Sequence, residues 1–350
     1  MPVLLPNSPW QKEVHTCVPD VSASLFRPRA AGAGGYRRIG VLEQPRVQGL
    51  KAHLEERYGV GVSGLVPLDV GVFRVDRGDG SRWVARVFPA RRPLAGVQED
   101  AAILQRLEQG GFPAERGAHP EPVSELAGQG VLVTGFLEDH GPLRPGRPAA
   151  LLGALLGRLH AHAAPDARAG GAWHHLSFTG GPREELAAGA ELLEDHLAQV
   201  RVRDLSLFDR LRDEVDRIDD CHDLPHAFVH PDFVPANAIS TADEKLAIVD
   251  WTGAGRGPRL WSLGFLLWAA GARDLRLVDL VVSRYRRWVE LEPAELNRLE
   301  GAIRGRPVVL EAWSVCAGRR ELAAALDRTE RIQELARSIA ICARRAFSAA

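Results

Sequence analysis

The sequence predicts a two-lobed α+β fold: a small sheet-containing lobe over residues 46–138, then a larger, mainly helical lobe over 139–350. Three observations carry this expectation. The chain has 350 residues, enough for two domains or one two-lobed fold around a large core. Strand-type segments gather early, two of them joined by the Asp-Gly turn Arg77–Gly80. Helical stripes dominate later and are interrupted by a short strand and a hairpin within Ala227–Trp251.

Composition narrows the function classes. A net charge of -1 argues against an electrostatically driven nucleic-acid binder. The basic residues are almost all arginine; Lys12, Lys51 and Lys245 are the exceptions. Cys17, Cys221, Cys316 and Cys342 are far apart and form no C-x-x-C pair, which suits a reducing compartment better than a zinc site or disulfide framework. The N-terminus lacks the pattern of a signal peptide. The longest apolar run, Leu260 to Ala272, is broken by Ser262, Gly264 and Gly271 and reads as a buried helix too short for a bilayer. A soluble, cytoplasmic protein without membrane or nucleic-acid partners is expected.

In chain order, residues 1–45 are rich in Pro, Gly, Ala and Arg without sustained periodicity and read as a loosely ordered extension. Val47–Tyr58 has helical spacing, with Leu50 and Leu54 on one face, and stops at Gly59. Strands follow at Gly64–Leu68, Val72–Val75 and Arg82–Phe88. On the third, Val84, Arg86 and Phe88 alternate onto one face, an apolar wall with one cation. Gly96–Gln109 is a helix with Ala101, Leu104 and Leu107 inward and Glu99 in its first turn, where a negative charge suits the helix dipole. Gly130–Thr134 is a buried-type strand running into Gly135, Phe136 and Leu137. Ala149–Ala161 is a leucine-striped helix. Its end, His160 and His162, with His174 and His175, has no standard zinc spacing; helix-end and loop histidines are the plainer reading. Arg183–Ala198 and Leu205–Asp219 are amphipathic helices. Thr252–Pro258 reads as a Gly-rich loop, and the remainder from Leu275 as helices, one of them capped at Glu292.

The densest chemistry lies in Ala227–Trp251. The hairpin runs out along Ala238–Ser240, turns through Thr241–Glu244 and returns along Leu246–Val249. Asn237 precedes the outgoing arm and Asp250 follows the returning one, so the hairpin sets an amide oxygen beside a carboxylate. Asp232 stands upstream in the same loop. Hard oxygen donors of this kind suit Mg²⁺, which takes one or two protein ligands and fills its shell with phosphates and water. Asn237 and Asp250 fit that need, and Asp232 is the carboxylate that orients a hydroxyl and accepts its proton. The plainer alternative is a capped turn with a solvated Asp and Asn.

The spacing His-x-Asp-x₄-Asn over His230, Asp232 and Asn237, followed by a strand ending in Asp250-Trp251, resembles the aminoglycoside phosphotransferase and choline kinase superfamily. The resemblance implies a protein-kinase-like fold and an ATP- (or GTP-) and Mg²⁺-dependent transfer of phosphate to a hydroxyl of a small molecule. It implies that Arg86 stands where the superfamily has a phosphate-binding lysine and that Glu99 orients it; a surface arginine and a solvated glutamate are the rivals. It also implies a hinge at Gly135, Phe136 and Leu137, whose backbone meets the adenine edge. Two features depart from the pattern. The phosphate-covering loop has one glycine, Gly71, and Ser262 stands where a helix-starting aspartate is usual. These departures favour the main rival, a nucleotide-binding pseudokinase used as an interaction module. From Trp251 to Ala350 there are 17 arginines against 11 acidic residues; solvated helix faces are the plainer reading, but the excess also points to a neutral, singly charged or anionic acceptor, with a classical aminoglycoside as the runner-up.

Overall fold

The computed structural model describes residues 49–90, 92–163 and 182–349. The expected 1–45 extension and the histidines His174 and His175 lie outside the described residues. Helix α1 (Leu50–Tyr58) ends at Gly59, whose φ of 64° supplies the left-handed cap a side chain would resist. Strands β1 (Val62–Asp69), β2 (Val72–Arg77) and β3 (Arg82–Val87) form an antiparallel meander. Helix α2 (Leu94–Gln109) follows, then β4 (Val123–Leu126) and β5 (Gln129–Gly135). The five strands form one sheet in the order β1-β2-β3-β5-β4. Leu50, Leu54 and Tyr58 of α1 pack with Val75, Ala85, Val131 and Val133 to form its apolar core.

Three sequence expectations change here. Phe88 is past the end of β3, buried beneath the Arg92 guanidinium 5.0 Å from its ring, and so leaves the face of Val84 and Arg86. Helix α2 starts at Leu94 behind Pro93, not at Gly96, which moves Glu99 out of the first turn. Strand β4 was not anticipated; its four residues are too few for a visible alternation, and its pairing with β5 defines it.

The second part is helical: α3 (Arg147–Ala161), α4 (Pro182–Leu197), α5 (Leu205–Asp216), α6 (Arg259–Gly271), α7 (Arg276–Tyr285), α8 (Pro293–Cys316) and α9 (Leu322–Ser348). Between α5 and α6 lie β6 (His226–Val229), the hairpin β7 (Ala238–Ser240) and β8 (Leu246–Ile248), and β9 (Gly255–Pro258). β9 was read as a loop because its glycines carry no strand preference; pairing with β6, Ala227 opposite Gly257, makes it a strand. α8 begins with the expected cap: Glu292 and Glu295 form a reciprocal capping box. It then runs unbroken through Pro307, where the sequence suggested separate helices. Residues 305–309 are all buried, so packing overrides the lost backbone donor.

Small residues set the helix spacing. A Cβ on Gly153 of α3 would stand 2.3 Å from the Val281 carbonyl oxygen of α7, and one on Gly157 2.7 Å from that of Tyr285. Gly153→Ala should therefore destabilise the protein by roughly 1–3 kcal/mol through overpacking, despite its better helix propensity. Gly301→Ala in α8, whose new Cβ would meet Asp219 at an ordinary 3.5 Å, should be neutral or stabilising by up to about 1 kcal/mol. Urea unfolding of both variants checks the opposite signs.

Candidate active site

The hairpin builds the site. Ala238 pairs with Ile248 and Ser240 with Leu246, and the Val249 N–H donates to the Asn237 carbonyl at 2.9 Å. That last rung puts the residues before β7 and after β8 side by side. Asn237 closes a one-turn 3-10 helix, its N–H on the Val234 carbonyl at 3.0 Å. Its side-chain Nδ2 donates to the Asp232 carbonyl at 2.9 Å and to Asp232 Oδ2 at 3.1 Å. The amide's donor end is thus engaged with Asp232, and Oδ1 remains as the atom it can offer a cation.

Asp250 has a φ of 66°, the left-handed region that costs most residues strain and that Asp tolerates better than most. A residue that sequence reasoning missed holds it there. Glu115 is 7% exposed; its Oε1 accepts the Asp250 N–H at 2.7 Å and its Oε2 the Thr134 hydroxyl at 2.9 Å. The backbone of Pro113–Glu115 also bonds Ile248, which ties the segment after α2 to the hairpin. No local motif marks Glu115. The available signal was only a carboxylate followed, across a long gap, by a strand with nothing to satisfy its end.

Arg86 projects from β3 into the same place. Its Nη1 forms an ion pair with Asp250 Oδ1 and donates to the Thr252 hydroxyl at 3.2 Å. Burial works against its charge, but Asp250 and Glu115 outweigh burial and raise its pKa above arginine's ordinary value. The structure thus brings Arg86, Asp232, Asn237 and Asp250 together.

Glu99 is not part of this group. It lies on the exposed face of α2 and forms no ion pair with Arg86. The acidic residue turned inward is its neighbour Asp100, 3% exposed, on the stripe of Val97, Leu104 and Leu107. Asp100 Oδ2 pairs with Arg92 at 2.7 Å, and Oδ1 accepts the Gly253 N–H at 3.1 Å, which pins the loop that follows Asp250. The expected glutamate–Arg86 pair is replaced by an Asp100–Arg92 pair next to it.

His230 braces the loop and does not face the cleft. It is fully buried, stands 4.7 Å edge-on to Trp251, and its Nε2 lies 3.1 Å from the Val249 carbonyl oxygen. Its Nδ1 accepts the Asp232 N–H at 3.0 Å, so Nε2 carries the proton. Burial lowers its pKa, against the pull of Asp250 and Asp232. Ser262 donates its hydroxyl to the His230 carbonyl at 2.9 Å; it anchors the loop and leaves the start of α6 to Pro258. At the expected hinge, the Gly135 N–H donates to the Arg116 carbonyl and the Phe136 N–H to that of Arg82. The Phe136 ring lies between the guanidinium groups of Arg82 and Arg74, 5.4 and 5.9 Å from its centre. Leu137 follows, half-buried. The histidines at the end of α3 have partners of their own: His160 with the Tyr285 hydroxyl at 2.9 Å, His162 with the Arg158 carbonyl at 2.7 Å.

Asp100 makes the site pH-sensitive. Burial pushes its pKa up to about 6, against Arg92 and the Gly253 N–H. Its folded value lies above the unfolded one, so the folded state holds this proton more tightly. That contribution is complete below the unfolded pKa and is lost as pH rises to about 6. Relative to Asp100→Asn, which cannot ionise, the wild type should lose ~3 kcal/mol of stability between about pH 4 and pH 7. Denaturant midpoints of the two proteins across that window check it; parallel curves would remove Asp100 from this role.

Comparison with known proteins matches this geometry to a family. A model of the phosphotransferase enzyme family, APH, matches residues 69–299. No curated protein matches the chain. Among solved structures, amicoumacin kinase hAmiN, in complex with AMP-PNP, Ca²⁺ and Ami, superposes with a TM-score of 0.57 at 14% identity, covering 83% of this chain and 95% of that one. Choline kinase LicA from Streptococcus pneumoniae gives 0.57 at 13% identity, covering 83% and 98%. Spectinomycin phosphotransferase APH(9)-Ia, in complex with ADP and its antibiotic, gives 0.54 at 13% identity, covering 85% and 98%. These likenesses show a common two-lobed fold, an antiparallel sheet lobe followed by a helical lobe. With the family match running from the end of β1 through β2–β5 and the hairpin to the first turns of α8, about two thirds of the chain, the chain belongs to the APH phosphotransferase enzyme family.

Proposed function

We propose that the protein is an ATP- and Mg²⁺-dependent kinase that moves the γ-phosphoryl group to a hydroxyl of a small molecule. The observation that carries this reading is the convergence of Asp232, Asn237 and Asp250 on one hairpin end, with Arg86 across from them. The donor set fits Mg²⁺: one carboxylate from Asp250 and one amide oxygen from Asn237, the small number of hard protein ligands this ion takes when phosphates complete its shell. Mg²⁺ would supply charge neutralisation on the transferring phosphate. A nucleotide donor is supported by the solved relatives bound to AMP-PNP or ADP.

The chain's own residues then divide the work. Arg86, now on Asp250, offers a forked cation to the nucleotide phosphates. The N–H groups of Gly135, Phe136 and His140 are bonded within the protein, which leaves the Leu137 backbone of the expected hinge to meet an adenine edge. Asp232 takes the proton of the acceptor hydroxyl as its oxygen bonds to the γ-phosphorus; the bond from that phosphorus to the β–γ bridging oxygen breaks, and the nucleoside diphosphate leaves. Catalysis rests on positioning and charge neutralisation more than on covalent chemistry. The Asp232 side chain is 32% accessible, which leaves room for an acceptor hydroxyl to reach it. A pseudokinase reading is disfavoured because all three oxygen-bearing side chains are retained and assembled.

Asp232→Asn should lower turnover by ~10²–10⁴-fold while Mg-ATP affinity stays within a few-fold. Asn237→Ala and Asp250→Ala should instead weaken ATP binding in Mg²⁺ and leave metal-free binding nearly unchanged. Calorimetry with and without Mg²⁺, beside a phosphate-transfer screen of aminoglycosides, choline-like amines, sugars, nucleosides and macrolides, separates these effects. Tight Mg-ATP binding with no transfer to any class would favour the pseudokinase.

A further inference from the structure

We infer that Arg306, held by Glu185, is the positioning residue of the base Asp232; this rests on the phosphotransfer reading above. The Asp232 carboxylate has a hydrogen bond at one oxygen and an ion-pair partner at the other. Asn237 Nδ2 reaches Oδ2 at 3.1 Å, and Arg306 Nη2 stands 3.5 Å from Oδ1. Among the described residues Arg306 is the one charged partner of this aspartate. It comes from α8, far from the loop in sequence, and is 3% exposed. A side chain that buried acts on an acceptor through Asp232 and not directly.

The guanidinium is itself fixed by Glu185 and by the Phe265 ring. Nη1 donates to both oxygens of Glu185, at 3.0 and 3.2 Å, and Glu185 is 1% exposed. The guanidinium carbon lies 4.8 Å over the Phe265 ring. Nε is buried with no hydrogen-bond acceptor, so the group forgoes one bond to keep the orientation that serves Glu185 and Asp232. Close helix packing sets its place. A Cβ on Gly305 would meet the Trp261 ring at 2.8 Å, and one on Gly264 the Ala302 carbonyl oxygen at 2.6 Å.

Helix α6 therefore supports the catalytic loop at two points. Ser262 bonds the His230 carbonyl, and Phe265 carries the guanidinium that faces Asp232. Ser262 is a neutral anchor where the resemblance leads one to expect an aspartate. The charge that fixes this loop comes from α8 instead, as a cation acting on the base itself. Held in this way, the Asp232 carboxylate cannot rotate freely, and an oxygen lone pair stays aimed at the acceptor.

The test uses the full chain, with Mg-ATP as probe and water as acceptor. ADP formation and Mg-ATP affinity are measured for the wild type, Arg306→Lys, Asp232→Asn and the pair Asp232→Asn/Arg306→Lys. A further double variant, Arg306→Met/Glu185→Gln, removes both buried charges, so neither is left unpaired if Arg306→Lys fails to fold. The inference expects at least a tenfold slower ADP formation in both Arg306 variants, Mg-ATP affinity within twofold of wild type, and no further loss when Arg306→Lys is added to Asp232→Asn. Wild-type rates in the Arg306 variants, affinity falling together with rate, or multiplying losses would overturn it while leaving Asp232 as base. No ADP formation by the wild type, or an Asp232→Asn protein as fast as the wild type, would remove the phosphotransfer reading itself and this inference with it.

Discussion

The site depends on one backbone hydrogen bond, from the Val249 N–H to the Asn237 carbonyl. It closes the β7–β8 hairpin and fixes the separation of Asn237 and Asp250, which no contact in sequence could do. Everything else in the loop is braced against that rung. His230 bonds the Val249 carbonyl from one side and the Asp232 N–H from the other, so Asp232, the proposed base, is referenced to the same residue that closes the hairpin. Glu115 then holds Asp250 in its left-handed turn. Strain at a functional carboxylate persists only where its surroundings over-determine it, and here a buried carboxylate and two backbone ladders do so.

The electrostatics of the cleft follow from this packing. Two cations, Arg86 and Arg92, face three buried or half-buried carboxylates, Asp100, Glu115 and Asp250. The negative surplus sits where a divalent cation would be received. Arg86 is paired with Asp250, so a metal and a triphosphate would exchange partners: Asp250 toward the cation, Arg86 toward phosphate. Such an exchange costs less than separating either charge alone, because each finds an opposite charge at the end of the move. Asp100 stays with Arg92 throughout and keeps the Gly253 loop in register.

What could be read from the sequence was local. The hairpin, its flanking Asn237 and Asp250, the turn at Arg77–Gly80 and the helix end at Gly59 are written in short spacings that fold as they read. A helix starting at Gly96 puts Glu99 in its first turn and leaves Asp100 unmarked, whereas α2 starts at Leu94. The register Val97, Asp100, Leu104 and Leu107, spaced three, four and three, was present and points to the aspartate. Glu115 and Arg306 had no comparable signal. Each acts on a residue 135 or 74 positions away, Glu115 on Asp250 and Arg306 on Asp232, and only the packed fold brings them there. At Pro307 a local helix breaker is overruled by burial on every side.

The arginine surplus of the last hundred residues shows how a sequence-level charge count changes once pairs are formed. Arg298 pairs with Asp219 and Asp223, Arg304 with Glu214, and Arg306 with Glu185, all acids that precede Trp251. Within the segment, Arg259 is fixed on the buried Glu295, and Arg320 and Arg328 share Glu311. Arg298, Arg304 and Arg306 therefore tie α8 to acids that precede it in the chain. A pair at contact distance presents little net charge beyond about one Debye length, ~8 Å at physiological salt. Beside Asp232, the proposed base, the Arg306 guanidinium is shared between that carboxylate and Glu185, so this arginine too is spent on pairing within the fold.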